Sequence, residues 1–181
     1  MAMTDAQLLA ASQAAYERGR WQLAALAGAL VAALPALSTA LGTNLPTAVL
    51  VGGALIIAVA VLVQRGGVPA ISAYRGLVAG LIPLALAHLA RTGGHICTPG
   101  GCTSWCVPAC AAGGIAAGLL LEWSARRTPS PWTARGLGAG ICVLTGALGC
   151  SCAGRAGIAG LILALGITLT AGAVIAPLRR S

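Results

Sequence analysis

LPTAVLVGGALIIAVAVLVQ, residues 45–64, carries no charged side chain over twenty positions. About 20 mainly apolar residues are needed to cross the hydrocarbon core of a bilayer as a helix, so this run has the length and character of a membrane span. It is not alone in the chain. Of the 181 residues 58% are hydrophobic and only 8% are charged, and the mean hydropathy is +0.92. Soluble domains carry roughly 25% charged residues, so the composition is that of an integral membrane protein. With short connections the chain has room for about six or seven spans at most.

Apolar runs broken by charge or by Gly/Pro clusters lie near 21–42, 45–64, 76–90, 105–123, 136–154 and 156–177. The third run is short and the fifth is interrupted by glycines. The expected fold class is all-α, a polytopic membrane helix bundle with six transmembrane helices in a domain covering 21–181, preceded by a polar segment at 1–20. A cleavable leader is the rival reading of the N-terminus, because "ALSTA" at 36–40 resembles a small-residue cleavage site. The leading polar segment is long and the first apolar run reaches full spanning length, which favours a retained helix. Pro35 and Pro83 fall inside spans, where neighbouring helices can satisfy the freed carbonyls.

Six spans place alternate connections on opposite sides, and the arginines then separate. Arg18, Arg20, Arg65, Arg75, Arg126, Arg127, Arg135, Arg179 and Arg180 fall on one side, and Arg91 and Arg155 on the other. An excess of positive charge marks the cytoplasmic side, so both termini are expected there. The net charge of +8 thus sets topology and meets anionic headgroups of the lipid bilayer. No nucleic acid partner is expected, since basic residues punctuate the hydrophobic runs instead of clustering on one exposed face. All eleven cations are Arg and Ala, Leu and Gly dominate, the usage of a high-GC genome. A bacterial inner membrane is the expected location.

Within 1–20, Thr4 and Gln7 have the spacing of a capping box, and Leu8, Leu9, Ala15 and Tyr16 offer a narrow apolar stripe. A short amphipathic helix is expected, lying on the membrane surface or serving as a docking site for a soluble partner. "RGLVAG" at 75–80 and "RGLGAG" at 135–140 hint that two helical hairpins are duplicated. Glu122 and Arg126 have ion-pair spacing on one helix. Trp21, Trp105, Trp123 and Trp132 fall at span boundaries as an aromatic belt would. His88 is expected near the outer end of the third span, within reach of interfacial water.

The cysteines are the most informative residues. Cys97 and Cys102 follow the third span, Cys106 and Cys110 open the fourth, Cys150 and Cys152 lie at the outer end of the fifth, and only Cys142 is deeper. Six thiols therefore converge on the extracytoplasmic face, where disulfides persist in a bacterium. Three readings stand side by side. The six can form structural or redox-sensing disulfides. They can be small packing residues, since Cys102, Cys106, Cys110, Gly114 and Gly118, and likewise Gly138, Cys142, Gly146, Cys150 and Gly154, recur every four positions. Mating these two stripes antiparallel would bring Cys106 or Cys110 to the depth of Cys150. In the third reading, His95 with Cys97 and Cys102 takes a metal ion, although the C-x₄-C and C-x₃-C spacings are not those of a standard zinc site. No other cofactor is expected.

The acidic residues number only Asp5, Glu17 and Glu122, all away from both histidines. With no carboxylate pair, nucleophile with its base, phosphate loop or C-x-x-C pair, an enzyme is not expected. Six helices with cytoplasmic ends, a cysteine opening the fourth, the connection "RRTPSPWTARGLGAG" at 126–140, Cys150 closing the fifth and the terminal pair Arg179-Arg180 resemble the NrsF-like membrane anti-sigma family. That resemblance implies a membrane sensor whose N-terminal segment holds a cytoplasmic sigma factor, with Cys106 or Cys102 as one thiol and Cys150 as the other. This chain has Gly149-Cys150 where the family tends to carry His-Cys. The alternatives are a small transporter or metal-handling protein collecting soft ions at the cysteines, and a structural subunit of a membrane complex.

Overall fold

The computed structural model describes residues 5–40, 42–93, 95–98, 101–150 and 154–178, without the side chains of 6, 95–98, 101–104 and 175–178. The described residues form seven helices and one two-stranded hairpin: α1 Asp5–Val31, α2 Ala33–Ala40, α3 Leu45–Arg65, α4 Gly67–Thr92, β1 His95–Thr98, β2 Gly101–Ser104, α5 Cys106–Ala125, α6 Pro131–Cys150 and α7 Gly154–Leu178. Six helical stretches are long and apolar enough to cross a membrane, α1 and α2 together making the first. The described residues therefore form a helical bundle whose six long stretches have the length and apolarity of membrane spans.

Local chemistry explains most boundaries. Pro35 lacks the N–H that would bond the Val31 carbonyl, and the first span breaks at Ala32 between α1 and α2. The side chain of Asn44 caps α3 by accepting from the Thr47 N–H at 3.0 Å, with Pro46 in the first turn where a missing donor costs nothing. At the other end of α3 the chain reverses in one residue. Gly66 and Gly67 adopt φ of 69° and 58°, a region that glycine enters without steric cost, and α4 begins at once. Pro131 opens α6 in the same manner.

Two expected elements are corrected. The third span does not begin at 76 but at Gly67, because the polar residues that mark a boundary in the sequence find partners inside the protein. Ser72 Oγ donates to the Val68 carbonyl at 2.7 Å, and Arg75 Nη1 donates to the Ser124 carbonyl at 2.8 Å. The N-terminal segment is helical, yet it is no separate surface helix: residues 5–20 run without a break into the first span, and Leu8, Leu9 and Tyr16 are all exposed. The hairpin at 95–104 falls where a plain connection is expected.

The helices pair through glycine. Where a Cβ on Gly76 of α4 would stand, the Gly138 carbonyl of α6 is 2.5 Å away, and a Cβ on Gly80 would meet Thr145 at 2.5 Å. The α4 and α6 backbones run parallel and touch, which only small residues permit. Pro83, fully buried in α4, lies against Gly113 of α5 and Gly146 of α6, so the proline seats its ring in two glycine gaps. In the same way α5 and α7 run parallel, with Gly114 against the Leu161 carbonyl and Gly118 against Thr168. The helices bearing "RGLVAG" and "RGLGAG" thus lie side by side, and so do the helices that follow them. The remaining spans, α1 to α3, pack beside α6 and α4, with Leu55, Val59, Ala73 and Leu148 in the shared core.

Candidate functional site: two ties between α5 and α6

The antiparallel mating of the two small-residue stripes is not what the structure contains. The α5 stripe packs mainly on α7 and the α6 stripe on α4, and α5 meets α6 less closely, with Leu121 against Gly138 between their ends. They are joined at their ends.

At the hairpin end, Cys110 of α5 and Cys150 of α6 form a disulfide, with their Cα atoms 6.0 Å apart. Such a spacing lies within the range a disulfide spans, about 4.4–6.8 Å. Both cysteines are fully buried, in a cluster with Ala87 of α4 and Leu161 of α7. Four helices therefore converge on the bond. Because thiol exchange needs access to a sulfur, a reductant can reach it only by entering this cluster.

At the opposite end, Glu122 of α5 is held by α6. Arg135 Nε donates to Oε2 at 2.7 Å and Nη2 donates to Oε1 at 2.8 Å. The expected partner Arg126 also donates, Nε to Oε1 at 3.0 Å. The two pairs differ in setting: the Arg135 side chain is 10% exposed and that of Arg126 is 40% exposed. A bidentate guanidinium–carboxylate pair is among the stronger charge-assisted geometries, and here it is buried. Gly172 of α7 makes the room, since a Cβ there would stand 2.6 Å from Glu122 Cγ. With Arg75 bonded to the Ser124 carbonyl, both arginines of the two similar motifs grip the same end of α5.

The other sequence candidates distribute unevenly. Cys106 is buried at the start of α5, outside the Cys110–Cys150 bond, and Cys142 is fully buried mid-bundle between Ala79, Leu121 and Leu165. On the backbone, Cys97 and Cys102 are directly opposite in the β1–β2 register. Their side chains and that of His95 lie outside the described residues, as do Thr4 and Cys152 entirely. Among the described residues no group of three or more His, Cys, Asp or Glu side chains could hold a metal ion. His88 is half-buried on α4, and its Nε2 is buried with no hydrogen-bond partner among the described residues. Gln7 is exposed on α1. The four tryptophans are exposed on the bundle surface, where an aromatic belt belongs.

Arg135 and Gly172 are the residues that sequence reading missed. Arg135 counts as a loop cation in the topology argument, yet Ser130-Pro131 is a helix-start signal, and that places the arginine one turn inside α6. A charge so placed needs a partner, and Glu122, 13 residues before it on α5, is the acid it meets. Gly172 carries no local signal, because its function depends on which helix it meets. No family model matches the chain, and no curated protein or solved structure matches it either.

Proposed function

We propose that this chain is a multi-pass regulatory protein of a bacterial inner membrane, with both termini cytoplasmic, in which the bond between Cys110 and Cys150 sets the relation of α5 to α6 and the N-terminal part of α1 holds a cytoplasmic sigma factor. The observation that carries the reading is the pair of ties. The same two helices are joined by a disulfide at one end and by a buried ion pair at the other, so a change in one tie alters the geometry available to the other. Nine arginines against two support the orientation, with the disulfide outside and the ion pair at the cytoplasmic face. Residues 5–20 of α1 extend about 24 Å at helical rise, and their exposed Leu8, Leu9 and Tyr16 are apolar anchors for a helix-binding partner.

The redox step is reduction of one disulfide to two thiols, with two electrons and two protons supplied by a dithiol donor that becomes a disulfide. Full burial makes this bond slow to exchange, which suits a switch thrown only when the outer ends of the helices open. The full chain is purified from its native membrane with peptide mass spectrometry on whatever is retained. A sigma factor is expected with the wild type, is lost on the triple substitution Leu8→Ala, Leu9→Ala, Tyr16→Ala, and changes in amount with Cys110→Ser. Retention of the same sigma factor by the triple variant would sink the docking assignment. Equal retention by wild type and Cys110→Ser would leave the disulfide as a structural staple and remove the switch.

A further inference from the structure

A groove of 750 Å³ runs along the surface between α5 and α7. Ile115 and Leu119 of α5 form one wall, Leu163 and Ile167 of α7 form the other, and Gly160, Ala164 and Ala171 of α7 leave room between them. Its apolar lining suits hydrocarbon and gives water nothing to bond. From Ala111 to Arg126 it follows α5 for about 22 Å at helical rise, more than the roughly 15 Å that is half of a hydrocarbon core. One leaflet's acyl chain fits that length.

The groove is apolar along its length and charged at one end, where Glu122 and Arg126 line it. Glu122 is already matched by the bidentate Arg135, so the charge of Arg126 is surplus. Arg126 spends only its Nε on Glu122, and its terminal nitrogens have no hydrogen-bond partner among the described residues. Close by, Arg127 lies over the Trp123 ring at 4.1 Å and Arg75 is bonded to the Ser124 carbonyl. One carboxylate thus meets two guanidinium groups, and two more lie at the same end of α5. The carbonyl end of α5 offsets only about half a charge. A part-exposed guanidinium fork at the mouth of an acyl-sized groove has the geometry that takes a phosphate.

We propose that the α5/α7 groove is a binding site for an anionic phospholipid, with an acyl chain along α5 and the headgroup phosphate on Arg126. It stands on the charge balance and the groove alone, and is independent of any redox or sigma-factor function. The test is native mass spectrometry of the full chain in detergent, titrated with phosphatidylglycerol or phosphatidylcholine of identical chains. Phosphatidylglycerol is retained preferentially, and Arg126→Gln lowers its retention roughly fivefold, the worth of one basic residue near an anionic surface. Ala171→Phe, which fills the groove and leaves every arginine in place, removes retention of the anionic lipid. Arg20→Gln, at a distant basic site, leaves it unchanged. Equal retention of the two lipids, or an Arg126→Gln variant that binds like wild type, overturns the proposal. So does a lipid-free dimer that Ala171→Phe disrupts, since the groove would then be a helix–helix interface. If Arg126→Gln does not fold, the lipid preference of the wild type and the Ala171→Phe result decide.

Discussion

Arg135 of α6 closes a two-point hydrogen bond on Glu122 of α5, at 2.7 and 2.8 Å, at the end of the helix pair opposite the disulfide. Twelve residues separate Cys110 from Glu122 on α5 and fifteen separate Arg135 from Cys150 on α6. The two helices are therefore parallel-sided struts about 20 Å long at helical rise, joined at both ends while glycine-lined partners fill the flanks.

Removing one member of a buried ion pair leaves the other charge uncompensated, which costs about 3–5 kcal/mol, whereas an exposed pair contributes about 0–1 kcal/mol. Arg135→Ala, which leaves Glu122 with the part-exposed Arg126 alone, is expected at the lower end of the first range and Arg126→Ala in the second. Unfolding followed by tryptophan fluorescence in detergent micelles checks the order. Equal losses would mean that Arg126 shares the burden of Glu122 with Arg135 despite its exposure.

The disulfide closes a segment with a sequence separation of 40, for which chain-entropy reasoning gives about 2–4 kcal/mol. Cys110→Ala and Cys150→Ala are each expected to lower stability by that order, and the double variant by little more, since either substitution already removes the bond. Thermal unfolding of the three variants measures this. Additive losses would show that the two thiols contribute separately, as packing residues.

Burial also sets thiol reactivity. Cys142 is fully buried, so a maleimide should leave it unlabelled in the folded protein and label it after denaturation, with or without reduction. Cys110 and Cys150 should label only when the protein is both unfolded and reduced. Intact-mass shifts with peptide mapping distinguish the sites, and labelling of native Cys110 without reduction would contradict the bond.

Glycine positions separate into two groups. A Cβ at Gly76 or Gly80 would meet α6 at 2.5 Å, while at Gly53 or Gly140 it meets nothing within 4 Å. Gly76→Ala and Gly80→Ala are expected to cost about 1–3 kcal/mol by overpacking. Gly53→Ala and Gly140→Ala, in helix interiors exposed to space, should gain up to about 1 kcal/mol from helix propensity. Melting temperatures of the four variants test whether α4 and α6 meet as described.

Much of this architecture is legible from local pattern. The run at 45–64 becomes α3 at Leu45–Arg65, and the reading at 105–123 becomes α5 at Cys106–Ala125. The start of α4 was obscured by Tyr74 and Arg75, which look like a boundary until Ser124 supplies a carbonyl partner. The Glu122–Arg126 pair was legible from its spacing on one helix. Arg135 was not, because the partner is 13 residues away across a turn.

Hydrophobic length and helix-ending residues are properties of a short stretch of chain, so local pattern is enough to give six membrane-length helices and the approximate place of most of them, the start of α4 excepted. Which helix mates with which depends on how each is rotated and how closely two backbones can approach. That is decided by Gly76 against Gly138, by Pro83 between Gly113 and Gly146, and by Gly114 against Leu161. Only after those contacts are made does Cys110, and not Cys106, arrive 6.0 Å from Cys150 at the Cα atoms, and only then does Arg135 reach Glu122.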